Sequence, residues 1–462
     1  MTNTEELTKS LVVVKRNGKK VDFNGSKIAV AIKKGFDSVT TEDEESKYTE
    51  KDITKVYQSV LKKIEKEYKD EDKIKIEDIQ DMIEDALQKN RYDDVYKNFS
   101  EYRERRAASR QVFSDEKKMH KFLKSLESLG LKSASEEDSK RENANIDGNS
   151  AMGTMLQYGS TVSKEFAKAY LMKKRFADAH DNGDIHIHDL DFEAMGTTTC
   201  MQIDLNKLFK NGFSTGHGHL REPKDIMSYS ALAAIAIQSN QNDQHGGQSI
   251  PAFDYYLAPG VLKTFKKQFK QAIYELLDYS GFIDFISMDK VEKEVDKLSS
   301  IEFDLDIFEN IYKESHEVRK IIEKAYDTAY KKTDRTTYQA MEAFVHNLNT
   351  MHSRAGAQVP FSSINFGTDT SPEGRMVVKN YLLSVDAGLG KNETPIFPIS
   401  IFKVKEGINY NESDPNYDLF KLAIKVSAKR LFPNFSFLDS SFNKPFYKPG
   451  DYNTEVGYMG CR

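Results

Sequence analysis

Residues 358–366 read QVPFSSINF. Apolar and small polar side chains alternate along this stretch. That is the period-two pattern of a strand, and it puts Ser363 and Asn365 on one shared face. Residues 377–387 follow as a helix. Residues 394–407, TPIFPISIFKVKEG, form a second apolar strand, with Pro395 and Pro398 at its start, where a missing N–H is tolerated. Residues 418–430 are helical, and 431–439, LFPNFSFLD, return to a strand pattern. Helix and strand in this rhythm predict an α/β fold with a largely parallel sheet.

Upstream, residues 143–160, NANIDGNSAMGTMLQYGS, are rich in small polar groups and poor in charge. Such loops line sites without the desolvation cost of charges. A helix is expected from Ser163 to Asn182–Gly183. Residues 184–192, DIHIHDLDF, alternate as a strand, with His186 and His188 on one face. With no third ligand nearby, they read as hydrogen-bonding groups in a polar pocket and not as metal ligands. Cys200 lies in the β-branched run TTTCMQIDL, a further strand. Residues 212–220, GFSTGHGHL, read as a glycine loop, 226–238 as an apolar helix, and the amide-rich NQNDQHGG at 240–247 as a loop. Residues 260–338 carry repeated Lys/Glu pairs at helical spacing and are expected to be a solvated, peripheral helical layer.

The N-terminal part has a different texture. Residues 11–23, LVVVKRNGKKVDF, form a hairpin whose Asn17-Gly18 pair signals a two-residue type I′ turn. Ser26 is a candidate cap for the helix that follows, and helices are expected from Thr49 or Glu50, over 75–90 and over 91–110. A turn bearing Lys15, Arg16, Lys19 and Lys20 near a helix N-terminus suits an anion, because cationic side chains and free N–H groups converge on it. A solvated charged turn would look the same by spacing. Residues 112–143 are mostly charged and end in the connector-like SASEEDSKREN.

The 462 residues suffice for two or three domains, and 28 Phe and 23 Tyr fit a folded core. A formal net charge of -5 gives no global attraction to nucleic acid or membrane. No apolar run approaches the ~18 residues of a membrane span. MTNTEELTKS lacks a signal-peptide core, so a cytoplasmic location with reduced thiols is expected. There are two cysteines, Cys200 and Cys461, too few for an all-cysteine zinc site. Cys461 follows Gly460 in NTEVGYMGCR, where a glycine turn would let a thiol reach deep into a cavity. By themselves both thiols also fit the role of buried filler.

Two resemblances bear on these readings. VKRNGKKVDFNGSKI resembles the ATP-cone, a small regulatory nucleotide-binding domain of a hairpin and helices. The match implies that Lys15, Arg16, Asn17, Gly18 and Lys27 are nucleotide-binding residues for ATP or dATP. The remainder resembles anaerobic class III ribonucleoside-triphosphate reductases in NANIDGNSAMGTMLQYGS, GDIHIHDLDF, TTTCMQIDL, NQNDQHGGQSIPAFDYYLAPGV, HSRAGAQVPFSSINFGTDTSPEGR, ETPIFPISIFKVKEGINYN, SAKRLFPNFSFLD and YMGCR. The resemblance implies an α/β fold of a ten-stranded barrel with a finger loop through its centre. It implies an ATP-cone at 1–110, a linker at 111–143 and a partial barrel at 144–462. Cys461 matches the finger-loop cysteine, which a glycyl radical oxidises to a thiyl that takes the ribose 3′ hydrogen. Cys200 matches the barrel-strand cysteine across the substrate. His186, His188, Ser363 and Asn365 are candidate substrate or formate contacts.

The implied partners are a ribonucleoside triphosphate substrate, dNTP effectors and a radical-SAM activating enzyme, with formate as reductant and a homodimeric assembly; neither nucleic acid nor membrane is implied. The family's structural zinc site and glycyl-radical loop have no counterpart in these residues. The expectation is therefore an N-terminal fragment, inactive alone, with an exposed apolar face. Glycyl-radical enzymes of the pyruvate formate-lyase type and a fragment that only binds ATP or dATP are the alternatives.

Overall fold

The structure is a computed structural model. It describes residues 11–15, 18–39, 47–114, 150–313, 315–354, 356 and 358–460, and only the backbone of 105–114. Arg16, Asn17 and Cys461 lie outside the described residues, as does nearly all of the expected linker. The chain divides into two compact units, Met1–Ser125 with Glu165–His186, and Leu126–Lys164 with Ile187–Arg462.

The first unit opens with β1 (Val12–Val14) and β2 (Lys20–Asp22), followed by α1 (Gly25–Asp37), α2 (Glu50–Glu67), β3 (Lys73–Lys75), α3 (Ile76–Lys89) and α4 (Asp93–Ser114). β1 is central, antiparallel to β2 and parallel to β3. Lys15 N donates to Lys19 O and Gly18 N to Lys15 O, with Gly18 at φ 77°. Lys15 and Lys19 thus close the hairpin, with Gly18 left-handed, and the expected Asn17-Gly18 turn lies partly outside the described residues. Asn24, not Ser26, caps α1: its Oδ1 accepts from Ser26 N at 2.9 Å. Thr49 begins α2 with a capping box to Asp52. Phe36, Tyr48 and Tyr92 form a triangle of edge-on rings with centroids 5.1 to 5.5 Å apart. Tyr92 spends its hydroxyl on Asp52 Oδ1 at 2.8 Å.

Next come α5 (Ala151–Phe166), a π-helical turn at Ala167–Leu171, and α6 (Lys174–Asp181). The helix expected to start at Ser163 therefore starts a full three turns earlier and is broken near its middle. Residues 184–196 are bends and turns, which corrects the strand expected for DIHIHDLDF. Their alternation is local. Asp189, at φ 52°, takes a left-handed conformation that does not fit a regular strand.

In the second unit β4 (Thr199–Gln202) is followed by α7 (Leu205–Asn211), the short hairpin β5 (Phe213–Ser214) and β6 (His219–Leu220), α8 (Ile226–Asp243) and β7 (His245–Ile250). α9 (Phe253–Tyr279), α10 (Met288–Lys297) and α11 (His316–Thr350) come next. β8 (Ser362–Phe366), α12 (Pro372–Ala387), β9 (Ile399–Val404), α13 (Tyr417–Arg430) and β10 (Asn434–Phe437) complete the α/β alternation. The sheet order is β10-β9-β8-β7-β4, every pair parallel. These are five of the ten strands that the resemblance implies.

The amide run expected as a loop belongs to the end of α8 and the start of β7, and the glycine loop is the β5–β6 hairpin. α9 and α11 correct the expectation of a peripheral layer. Phe265, Phe269, Ile273 and Leu277 of α9 are buried, as are Ala325, Ala329, Thr333 and Thr337 of α11. The last four recur at i+4 as a stripe of small buried side chains, and Thr337 of that stripe meets Met376 of α12. Charge pairs on the outer faces conceal that stripe in a sequence reading. Apolar side chains stand exposed around β10: Leu431, Phe437, Phe442 and Phe446.

Candidate functional site

Strand register sorts the sheet into two faces. Ser249 pairs with Ser363, Ser363 with Ile399, Asn365 with Ile401, and Ser436 with Lys403. Because alternate residues share a face, Gln202, Ser249, Ser363, Asn365, Lys403 and Ser436 line one side. Ile364, Phe366 and Phe402 line the other, where the rings of Phe366 and Phe402 meet Tyr381 of α12 and Phe420 of α13.

The polar face holds the segment 451–460. Gln202 Nε2 donates to Gly457 O at 2.9 Å, and Ser249 Oγ to Tyr458 O at 2.7 Å. Asn365 Oδ1 accepts from Tyr458 N at 2.8 Å while its Nδ2 donates to Tyr458 O at 2.9 Å. Ser363 Oγ accepts from Gly460 N at 2.7 Å. The passage is narrow: a Cβ on Gly460 would lie 2.7 Å from Ile399 Cβ, and one on Gly457 2.8 Å from Pro251 Cβ. Ser363 and Asn365 thus come together on one strand, and their polar atoms are occupied by the backbone that leads to residue 461.

Cys200 is on β4, in the same sheet. It has φ 42°, a left-handed conformation rare for a residue with a Cβ, and the register shifts between Thr199 and Met201. Gly246 of β7 accommodates it, since a Cβ there would be 3.1 Å from Cys200 Sγ. The bulge re-aims the thiol out of the regular pleat. His186 belongs to the first unit, its ring 5.7 Å from that of His180. His188 is exposed, with Nε2 3.5 Å from Asp189 Oδ2. The two histidines share no strand face.

Three groups escaped the sequence reading. His245 is buried, stacks on Phe192 at 4.1 Å, meets Asp189 Oδ2 at 3.2 Å through Nε2 and Thr197 Oγ1 at 2.8 Å through Nδ1. Lys403 and Glu455 form a buried ion pair at 2.6 Å. Asp254 is fully buried at the start of α9, where its Oδ2 accepts from the N–H groups of Gly367, Thr368 and Asp369. The signal for Lys403 was present: one charge inside the apolar run PISIFKV demands a buried partner.

Asp369 sits beside Asp254. Burial first, and the Asp254 carboxylate second, push its carboxyl up to about 7. The folded state then binds this proton more tightly than the unfolded chain, whose aspartates titrate near ~3.9. Its contribution to stability is complete below that value and is lost as pH rises towards 7. Asp369→Asn removes this dependence. The difference in urea midpoint between parent and variant should change steadily between those limits, by up to ~1.4 kcal/mol per pH unit.

A separate opening of about 740 Å3 lies along α9 and α10. Lys224, Lys263, Lys266, Lys267 and Lys270 line it. Lys263 is tied to Glu222 and Lys270 to Asp296, and burial lowers the pKa of Lys266. Five ammonium groups gather in this groove beside Glu292 and Asp296, on a chain of negative net charge. In the first unit Lys15, Gly18 and Lys27 are exposed around the hairpin and the start of α1.

The family model for anaerobic ribonucleoside-triphosphate reductase matches residues 142–462, and that for the ATP cone domain matches 11–108. The chain belongs to the anaerobic ribonucleoside-triphosphate reductase family. The reductase of Haemophilus influenzae is 29% identical over 453 residues, 97% of this chain and 54% of that protein. The reductase of phage T4 is 30% identical over 340 residues, 72% of this chain and 47% of that protein. The chain therefore spans about half the length of the curated reductases it matches. The Thermotoga maritima anaerobic ribonucleotide reductase, solved in complex with dATP and CTP, aligns at 14% identity with a TM-score of 0.38, over 63% of this chain and 42% of that one. Membership of the reductase family, in place of the pyruvate formate-lyase type, rests on the family models and curated relatives.

Proposed function

We propose that this chain contributes the ATP-sensing cone and the two-thiol side of a site that reduces ribonucleoside triphosphates to deoxyribonucleoside triphosphates under anaerobic conditions. The observation that carries the reading is the polar face of the sheet, where four side chains grip the backbone of residues 457–460, immediately before Cys461. A segment held so firmly presents its next side chain at a defined depth, and hydrogen abstraction needs a sulfur within ~3–3.5 Å of its target carbon.

A glycyl radical, when present, supplies the oxidising equivalent. In this reading Cys461 exchanges a hydrogen atom with the ribose 3′ carbon. Cys200, turned out of β4 by its bulge, donates to the 2′ hydroxyl as it leaves as water. Formate is the proposed source of the two reducing electrons. Ser363 and Asn365, first read as substrate contacts, act as supports for the segment. The lysine groove is assigned to the polyphosphate of a deoxynucleotide effector. Homodimer formation and a radical-SAM activating partner accompany the proposal, as does a cytoplasmic location.

Isothermal titration tests the cone. ATP and dATP are expected to bind, and Lys15→Ala with Arg16→Ala to weaken that binding at least ~10-fold through lost charge-assisted phosphate contacts. Unchanged binding in the double variant would remove the assignment. Lys267→Glu serves as control and is expected to affect only binding at the groove.

A further inference from the structure

The neutral grips on segment 451–460 have one weakness. They hold backbone groups, and every residue offers an N–H and a C=O at similar spacing. A slip along the sheet would let the same amides and hydroxyls find new partners, with a different residue under each. Contacts of particular side chains distinguish one register from the next: the Tyr458 hydroxyl donates to Asn443 Oδ1 at 2.9 Å, a neutral bond, and Glu455 meets the Lys403 ammonium.

We propose that the Lys403–Glu455 pair is the register lock of this segment, a positioning device that sets how far residue 461 is advanced; the catalytic part of this inference rests on the function proposed above. Lys403 projects from β9 with its side chain fully buried, and Glu455 is 3% exposed. Lys403 Nζ donates to Glu455 Oε2 at 2.6 Å and to Pro251 O at 2.9 Å. Thr368 Oγ1 donates to the same carboxylate oxygen at 2.7 Å. Any slip leaves an ammonium and a carboxylate buried apart, which is far costlier than a rearranged neutral bond. It also drives a side chain into the space beside Ile399 and Pro251 that only Gly460 and Gly457 fit. The lock sits five residues before Gly460, so it sets the position of that whole run. Upstream, Tyr452 stacks on Tyr255 at 4.2 Å and its hydroxyl accepts from Asn206 Nδ2. This second contact is neutral and partly exposed, so a slip costs less there than at the buried ion pair.

A buried ion pair contributes specificity more readily than stability, and unbranched apolar replacements separate the two. The test is hydrogen exchange, read by mass spectrometry on the 462-residue chain, of the parent and of Lys403→Met combined with Glu455→Met. The double variant is expected to melt at or above the parent temperature. Its amides at 456–460, those of Tyr458 and Gly460 above all, should exchange at least ~10-fold faster. Glu455→Gln alone should show the same loss together with a lower melting temperature. Unchanged protection at 456–460 in a folded double variant would overturn the proposal and leave the pair a structural contact. If the double variant fails to fold, Lys403→Arg decides, because it keeps the charge but not the length. A register lock predicts faster exchange confined to 456–460, and exchange raised throughout the unit, or nowhere, counts against it. Exchange reads no chemistry, so failure of the reductase reading would show separately, as absence of product from the parent supplied with the glycyl-radical segment. Where turnover is measured, the double variant should lose kcat with the nucleotide KM within ~2-fold.

Discussion

Cys200→Ser is expected to lower deoxynucleotide formation by about three orders of magnitude, in the ~10²–10⁴ range of a lost proton donor. The assay is anaerobic and supplies, fused or as a second polypeptide, the glycyl-radical segment that the family resemblance implies. Three features of the residue support this size of effect. Cys200 is held at φ 42° within a strand, a strain that persists only when its surroundings enforce it. The register shift beside it turns the thiol out of the pleat, and Gly246 leaves the room it needs. Serine fits the same space, so fold and nucleotide affinity should survive, and the loss should fall on kcat. A hydroxyl is a far weaker acid than a thiol, which is why serine cannot substitute chemically. Retention of more than a tenth of parent turnover by the serine variant would sink the assignment. Gly246→Ala should act in the same direction for a different reason: it crowds Sγ and is strained at φ 85°.

Asp254→Leu is expected to be the most destabilising single change in the larger unit, by about 4 kcal/mol. It strips three buried N–H groups of their acceptor, each worth ~1–3 kcal/mol when left unpaired. The loop at 367–369 is satisfied from both sides: Asp254 takes its N–H groups, while Asn409 and Asn416 donate to its carbonyl oxygens. Asp254→Asn keeps an acceptor but no charge and should cost ~1–2 kcal/mol. Urea midpoints for the two variants check the order. Equal midpoints would mean that the loop finds other partners. The asparagine variant should also lower the pKa of Asp369, whose rise owes its second-largest cause to the Asp254 carboxylate.

Much of this could be read directly from residues. The strands at 362–366, 399–404 and 434–437 show their alternation openly, and helices α12 and α13 fall where the pattern puts them. Cys200 stood out because the chain holds one other cysteine. The misreadings share a physical cause, since a local pattern does not say what will pack against it. DIHIHDLDF alternates like a strand yet folds as bends and turns, and brings Asp189 to His245. The Lys/Glu pairs of 260–338 describe the outer faces of α9 and α11, whereas the Ala/Thr stripe that buries them makes no strong signal. The amides Asn240 and Gln241 spend themselves on Gln248.

Composition and periodicity determined the parallel α/β class and the two thiols, and the resemblance of the quoted motifs pointed to the cone and the family. Each depends on residue type and local spacing, which a sequence states outright. Tertiary structure decided which polar groups face each other: Lys403 with Glu455, Asp254 with the 367–369 loop, Ser363 and Asn365 with the backbone of 458–460. Those partners are 52 to 115 residues apart in the chain. Their pairing follows from strand register and from the cost of burying any one of them alone, and neither is written in the residues near it.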